Sequence, residues 1–239
     1  MKIPHPLSIL ALLGLAGLAA AQGQKPTPYP VMAPVEQYLS LNAQEEIALA
    51  RSAAPTSISA AAQVMVLGKR GYETAVSGTN GFVCFVERSW TASFDDPEFW
   101  NPKIRGPNCF NPPAVRSVLP HYLRRTEWAL AGATKDQMIE KARAALAAHQ
   151  FTDPEAGSLS FMLSKQGNLG DQANGPWLPH VMFFVKNGET AVWAAGLADS
   201  PILGKDGHAS EQTVLLIPVR RWSDGSPAPA PPVEHHHGE

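Results

Sequence analysis

The densest group of chemically capable side chains lies in residues 158–186, in a loop between two short apolar runs. This loop carries Lys165 and Asp171, and His180 follows it at the start of the second run. A carboxylate beside an imidazole can act as an acid–base pair, and a lysine can stabilise a developing anion. Lys165, Asp171 and His180 are therefore candidate catalytic residues for a hydrolytic reaction.

The same loop also has the composition of a binding surface, and a second stretch at residues 88–110 adds aromatic side chains. Small-molecule sites usually combine apolar and aromatic walls with a few polar groups. We therefore favour binding of a small molecule or a protein partner through loop 164–180 and the aromatic connection 88–110. The residues predicted to bind the ligand are Trp100, Gln166, Asn168 and Trp177.

Two further interpretations of these side chains stay open. Asn and Asp often hydrogen-bond the backbone of their own turns, so the polar residues could hold the loop in shape instead of reacting. The aromatic residues of 88–110 could likewise cover one edge of the core, as in a purely structural envelope protein. No G-x-S-x-G, S-x-x-K, G-x-x-x-x-G-K-[ST] or G-x-G-x-x-G motif occurs, so the sequence does not decide whether the protein is an enzyme.

The histidines give no metal-binding pattern within the core. His121, His149, His180 and His208 stand singly, without H-x-H, H-x-x-x-H or H-E-x-x-H spacing. The run at residues 235–237 lies in a Pro- and Ala-rich tail. We therefore predict no metal site and no cofactor.

The first 21 residues read as a signal peptide. Lys2 precedes an apolar run over residues 7–21, and the small residues Ala19 and Ala21 fit the cleavage rule. We expect a periplasmic or secreted protein. In such a compartment the two cysteines, Cys84 and Cys109, favour a disulfide; a catalytic thiol is the alternative, although neither cysteine stands in a nucleophile motif.

The charge balance limits the range of partners. The formal net charge is -2, with 19 basic and 21 acidic residues. A nearly neutral chain offers no electrostatic footprint for nucleic acid, and no membrane insertion is expected after signal cleavage. The expected partner is an unknown small molecule or an envelope protein.

Composition shifts divide the chain into four parts. Residues 1–21 are the signal peptide and 22–40 a Pro-rich linker. Residues 41–222 have the length of a single domain, and 223–239 form a Pro-, Ala- and His-rich tail that we expect to be disordered.

Local patterns predict an α+β fold. Asn42, Asn111 and Thr134 have the residue types of helix starts, and Pro120 should kink or split the second helical segment. Three β-prone runs, separated by Gly- and Asn-containing turns, indicate an antiparallel meander between the first helix and the two later helical segments, and four more runs follow those segments. We expect a largely antiparallel sheet of about six or seven strands with helices packed on one face. The predicted strands cover residues 64–67, 72–76, 82–86, 159–163, 180–185, 191–195 and 213–219.

Five phrases of the chain resemble a family of uncharacterised exported bacterial proteins. They are NGFVCFVERSW (80–90), FWNPKIRGPNCFNP (99–112), FMLSKQGNLGD (161–171), PWLPHVMFF (176–184) and PVRRWSDG (218–225). The resemblance spans most of the core. It implies export and a shared fold, and no established activity.

Overall fold

Eight strands and five α-helices make up the fold of the computed structural model, which describes residues 28–39, 41–171, 178–207, 209 and 212–229. The predicted signal peptide, residues 22–27, most of the tail and His208 lie outside the described residues. The helices are α1 (Ala43–Arg51), α2 (Thr56–Ser59), α3 (Pro112–Ser117), α4 (Leu119–Leu130) and α5 (Lys135–Ala147). The strands are β1 (Gln63–Gly68), β2 (Gly71–Val76), β3 (Val83–Glu87), β4 (Gly106–Phe110), β5 (Leu159–Met162), β6 (His180–Lys186), β7 (Leu203–Asp206) and β8 (Gln212–Pro218).

All eight strands belong to one sheet, in the order β2-β1-β3-β4-β5-β6-β8-β7. Every pairing is antiparallel except β1 with β3, which is parallel. The predicted α+β class with a largely antiparallel sheet is confirmed, with eight strands where six or seven were expected. The predicted meander is wrong, because β3 returns to lie beside β1 and not beside β2.

The helix boundaries follow the local signals. Asn42 and Thr134 each form a reciprocal capping box, with Glu45 and Gln137 respectively. The segment containing Pro120 is divided at Val118 into α3 and α4. Proline is tolerated there because it falls in the first turn of α4, where the amide has no helical partner.

Helices cover both faces of the sheet, which corrects the expectation of one. Val83 and Phe85 of β3 pack in a core cluster with residues of α3 and α4, whereas Cys84 and Val86 pack on the other face with α1. Successive side chains of a strand point to opposite faces. A strand with four apolar residues in succession, as in β3, therefore needs cover on both sides.

Three segments differ from the expected strands. β4, with the sequence GPNCF, lies inside the aromatic connection 88–110, where no strand was predicted. Residues 191–195, predicted as a strand, form turns, and the edge strand β7 comes later at Leu203–Asp206. The turn at Asn187-Gly188 follows β6 and continues into residues 191–195, so it does not join two paired strands. The strand that pairs with β6 on this side is β8.

The predicted disulfide is confirmed. Cys84 and Cys109 are direct cross-strand partners in β3 and β4, with Cα atoms 4.0 Å apart, and their sulfurs are bonded. The bond therefore joins two strands at the centre of the sheet.

Segments on either side of the predicted domain also pack on it. Tyr38 is fully buried, and its hydroxyl donates to the carbonyl of Trp100. At the other end, Ser223 N–H donates to the Leu163 carbonyl, and Arg221 forms a bridge with Pro227. The ordered unit thus extends past both predicted boundaries, 41 and 222. No helix among the described ranges is long and apolar enough to cross a membrane.

A buried ion pair joins the N-terminal segment, α1, β1 and β3. Arg88 Nη2 lies 3.0 Å from Glu46 Oε1, and the two side chains are 0% and 2% exposed. Arg88 Nε also donates to the Tyr38 carbonyl at 2.9 Å, and Glu46 Oε1 accepts from Leu67 N–H at 3.1 Å. Each charge therefore has hydrogen bonds besides the ion pair, as buried charges require.

Replacing Arg88 by methionine should strongly destabilise the protein, because it leaves the Glu46 carboxylate buried without its counter-ion. We expect a loss of about 3–5 kcal/mol in the free energy of unfolding, measured by urea denaturation. The matched control is Arg124→Met, which removes the arginine of an exposed ion pair with Glu127 and should cost less than about 1 kcal/mol. Equal losses in the two variants would contradict the structural role of the buried pair.

Candidate functional site

The polar residues of loop 164–171 tie that loop to neighbouring segments. Lys165 Nζ lies 2.9 Å from the carboxylate of Asp224. Asn168 pairs through its backbone with Arg105, and its side-chain amide donates to the Lys103 carbonyl at 3.1 Å. These contacts match the structural interpretation of the loop.

Asp171 and His180, the other two candidate catalytic residues, engage different groups. The Asp171 carboxylate accepts from Tyr29 and lies 2.9 Å from Lys103 Nζ, and both bonds lower its pKa. His180 is buried at the start of β6, where its Nδ1 lies 3.1 Å from the Leu178 carbonyl and burial lowers its pKa. In the described part of the chain, no contact brings Lys165, Asp171 and His180 into one group.

The predicted ligand-binding residues are similarly dispersed. Trp100 is buried, with its ring edge against Phe99, in the aromatic cluster that covers one part of the core. Gln166 N–H donates to the hydroxyl of Ser164. Trp177 lies outside the described residues.

A cavity of about 470 Å³ lies elsewhere, between α4, residues 87–96 and strands β6, β8 and β7. This volume falls within the range of small-molecule sites. Its walls combine apolar side chains with a group of charged and amide ones. The lining residues that matter below are Glu87, Phe94, Asp96, Tyr122, Arg125, Met182, Lys205, Asp206, Val214 and Leu216.

The apolar floor of the cavity follows from the strand register. Met182 of β6 is opposite Leu216 of β8, and Phe184 is opposite Val214, so these side chains share one face of the sheet. Tyr122 of α4 and Phe94 complete the apolar lining. Val214 and Leu216 are only partly buried against the core cluster, so their side chains stay accessible from the cavity.

Glu87 lies at the polar end of the cavity because of its position in β3. It lies two residues after Phe85 and four after Val83, so its side chain points to the same face of the sheet, where the cavity lies. The next residue, Arg88, points to the ion pair with Glu46. The side-chain amide of Asn108 donates to Glu87 Oε1, and Thr91 Oγ1 lies 3.3 Å from Oε2. Burial nevertheless raises the pKa of Glu87 to about 7.

Arg125 holds one wall of the cavity in place. Its Nη2 donates to the Ala92 carbonyl at 2.6 Å, its Nη1 donates to the Thr91 carbonyl at 3.3 Å, and the guanidinium carbon lies 4.1 Å from the centre of the Phe94 ring. The helix thereby fixes the backbone of residues 91–94. The positive charge also lowers the pKa of Glu87, against the larger effect of burial.

Asp96 and Asp206 also line the cavity, but the Asp206 carboxylate lies on the Thr213 face of the sheet, opposite to the face of Val214 and Leu216. Asp206, at the end of β7, accepts from the hydroxyls of Thr190 and Thr213 and from Gly188 N–H, and these bonds lower its pKa. Asp96 has a raised pKa because it is partly buried. Lys205, the cation on this side, is paired with Asp95 at the rim.

The sequence contained only weak signals for this site. Glu87 ends an otherwise apolar strand, and Arg125 lies one helical turn from Tyr122 on α4. Neither belongs to a motif, and β7 was not predicted. Over the described ranges, no group of three His, Cys, Asp or Glu side chains could hold a metal ion.

Comparisons with known proteins give no information on this site. No family model, no curated protein and no solved structure matches the chain.

Replacing Glu87 by glutamine should change how stability depends on pH. The folded-state pKa of Glu87 is raised from 4.5 to about 7, so ionisation in the folded state becomes costly as the pH rises between these values. The wild type should therefore lose up to about 3 kcal/mol from this one group between pH 4.5 and pH 7, and E87Q should not.

Urea denaturation of both proteins across this pH range measures the difference. Glu127→Gln is the control, since it makes the same substitution at an exposed residue of α4. Parallel pH profiles for wild type and E87Q would show that Glu87 titrates normally.

Proposed function

We propose that the protein is an exported binding domain that holds a small, partly apolar molecule in the cavity between α4, residues 87–96 and strands β6, β8 and β7. The observation that carries this proposal is the cavity itself, with its apolar floor and a charged end. The signal-like N-terminus and the Cys84–Cys109 bond support export, because disulfides persist in oxidising compartments.

The composition of the cavity fits a ligand with two chemically different ends. Met182, Val214 and Leu216 offer a continuous apolar surface on the sheet, and Glu87 offers hydrogen-bonding capacity beside it. Burying an apolar ligand surface supplies binding free energy, and a few fixed polar groups supply orientation.

One of the two loops expected to bind ligand lines the cavity. Residues 91–96 of the aromatic connection 88–110 form one wall. Lys165, Asn168 and Asp171 of the other loop are engaged with Asp224, Lys103 and Tyr29. Their contacts lend no support to the hydrolytic alternative, so binding is the function that we propose.

Filling the cavity tests the proposal. N-phenyl-1-naphthylamine is a suitable probe because it is small, mostly apolar, and fluorescent in apolar surroundings. The wild type should bind it with a dissociation constant of about 10 μM, and Leu216→Trp should weaken binding at least about tenfold by occupying the floor. Fluorescence titration measures both constants.

Ile217→Trp is the matched control. It places the same side chain at the next position of β8, on the opposite face of the sheet. Binding within about twofold of wild type is expected for it. Equal affinity of L216W and wild type, or no binding by wild type, would contradict a ligand site in this cavity.

A further inference from the structure

We infer that the occupant of this cavity is an amphipathic cation, a small molecule with an apolar body and a protonated amine that pairs with Glu87. This inference rests on the proposed function and names its ligand class. It follows from the charges around the cavity and from the hydrogen bonds of the Glu87 carboxyl group.

The charges lining the cavity have a negative excess. Glu87 and Asp96 line it and Asp95 lies at its rim, against the two cations Arg125 and Lys205. Lys205 is paired with Asp95 at the rim. A cationic ligand would balance the remaining charge, whereas an anionic one would add to it.

Arg125 is engaged with the wall of the cavity, which uses part of its five N–H donors. Its two terminal nitrogens donate to the backbone carbonyls of Thr91 and Ala92, and its guanidinium lies over the Phe94 ring. These bonds direct donors to the protein backbone. Arg125 therefore stabilises the wall of the cavity, and its positive charge lowers the pKa of Glu87.

The hydrogen bonds of Glu87 leave room for a donor from the ligand. Thr91 has a single hydroxyl hydrogen, and its oxygen lies 2.8 Å from the Arg88 carbonyl but 3.3 Å from Glu87 Oε2. The contact with the Arg88 carbonyl is the shorter of the two, so the bond from Thr91 to Oε2 of an ionised Glu87 is the weaker one. An ammonium group in the cavity would supply a stronger donor, as a charge-assisted bond.

Asn108 favours the ionised form of Glu87 through the other carboxylate oxygen of Glu87, Oε1. Asn108 is fully buried in β4, and its side-chain nitrogen donates to Glu87 Oε1. In the described structure, Asn108 Oδ1 has no hydrogen-bond partner. The amide is thus oriented to donate to a carboxylate, the form that an ammonium ligand requires.

Proton release should accompany binding near neutral pH. A protonated Glu87 must lose its proton to solvent before its carboxylate can pair with the ligand ammonium, which keeps its own protons. The other titratable groups that interact with Glu87 are Arg125 from α4 and Tyr72 from β2, and Tyr122, Asp96 and Lys205 line the same cavity. Tyr72 stays neutral, because burial raises its pKa.

The test compares three ligands of nearly the same shape, 4-phenylbutylamine, 4-phenylbutan-1-ol and 4-phenylbutanoate, by isothermal titration calorimetry with the full chain. At pH 8 the amine should bind at least about tenfold more tightly than the alcohol, and the carboxylate more weakly than both. Affinity for the amine should fall about tenfold from pH 8 to pH 6, and affinity for the alcohol should not change.

Glu87→Gln should bring the affinity for the amine to within about twofold of that for the alcohol and should remove the pH dependence. The control Glu127→Gln should keep the preference for the amine and the pH dependence of its affinity. Equal binding of amine and alcohol by wild type, or preference for the carboxylate, would overturn the cation inference and leave the binding function standing. Failure of all three ligands to bind would overturn the cation inference as well, and the N-phenyl-1-naphthylamine titration decides the binding function separately.

Discussion

The buried ion pair between Glu46 and Arg88 is the constraint on which the rest of the structure depends. It holds the N-terminal segment, α1, β1 and the end of β3 together, with both side chains buried. Because side chains alternate along the chain at this point, fixing Arg88 on one face directs Glu87 to the other. The structural pair and the charged end of the cavity are therefore set by two adjacent residues.

The elements that the sequence predicted correctly are those with local causes. Capping boxes at Asn42 and Thr134 depend on side chains three residues away, and the division near Pro120 depends on a missing amide. Pairing of strands depends on distant residues. The parallel contact of β3 with β1 and the edge position of β7 have no local signal, which is why the meander and the strand at 191–195 were wrong.

The candidate site was harder to predict, for a related reason. Loop 164–180 was predicted as the site because reactive side chains are concentrated there in the sequence. Lys165 and Asp171 instead pair with residues from other segments. The cavity assembles single residues from β3, α4, β7 and β8, each unremarkable in its own context. β4 escaped prediction because Gly106, Pro107 and Asn108 are rare in strands, although Asn108 is the residue that binds Glu87.

The most direct measurement of the central claim is a ¹³C NMR titration of the Glu87 side-chain carboxyl, with and without 4-phenylbutylamine. A carboxyl group at the buried end of a cation-binding cavity should titrate with a pKa of about 7 in the free protein and at a clearly lower pH when the amine is bound. A pKa near 4.5 in the free protein, or one that the amine does not change, would contradict the assignment of Glu87 to the ligand site.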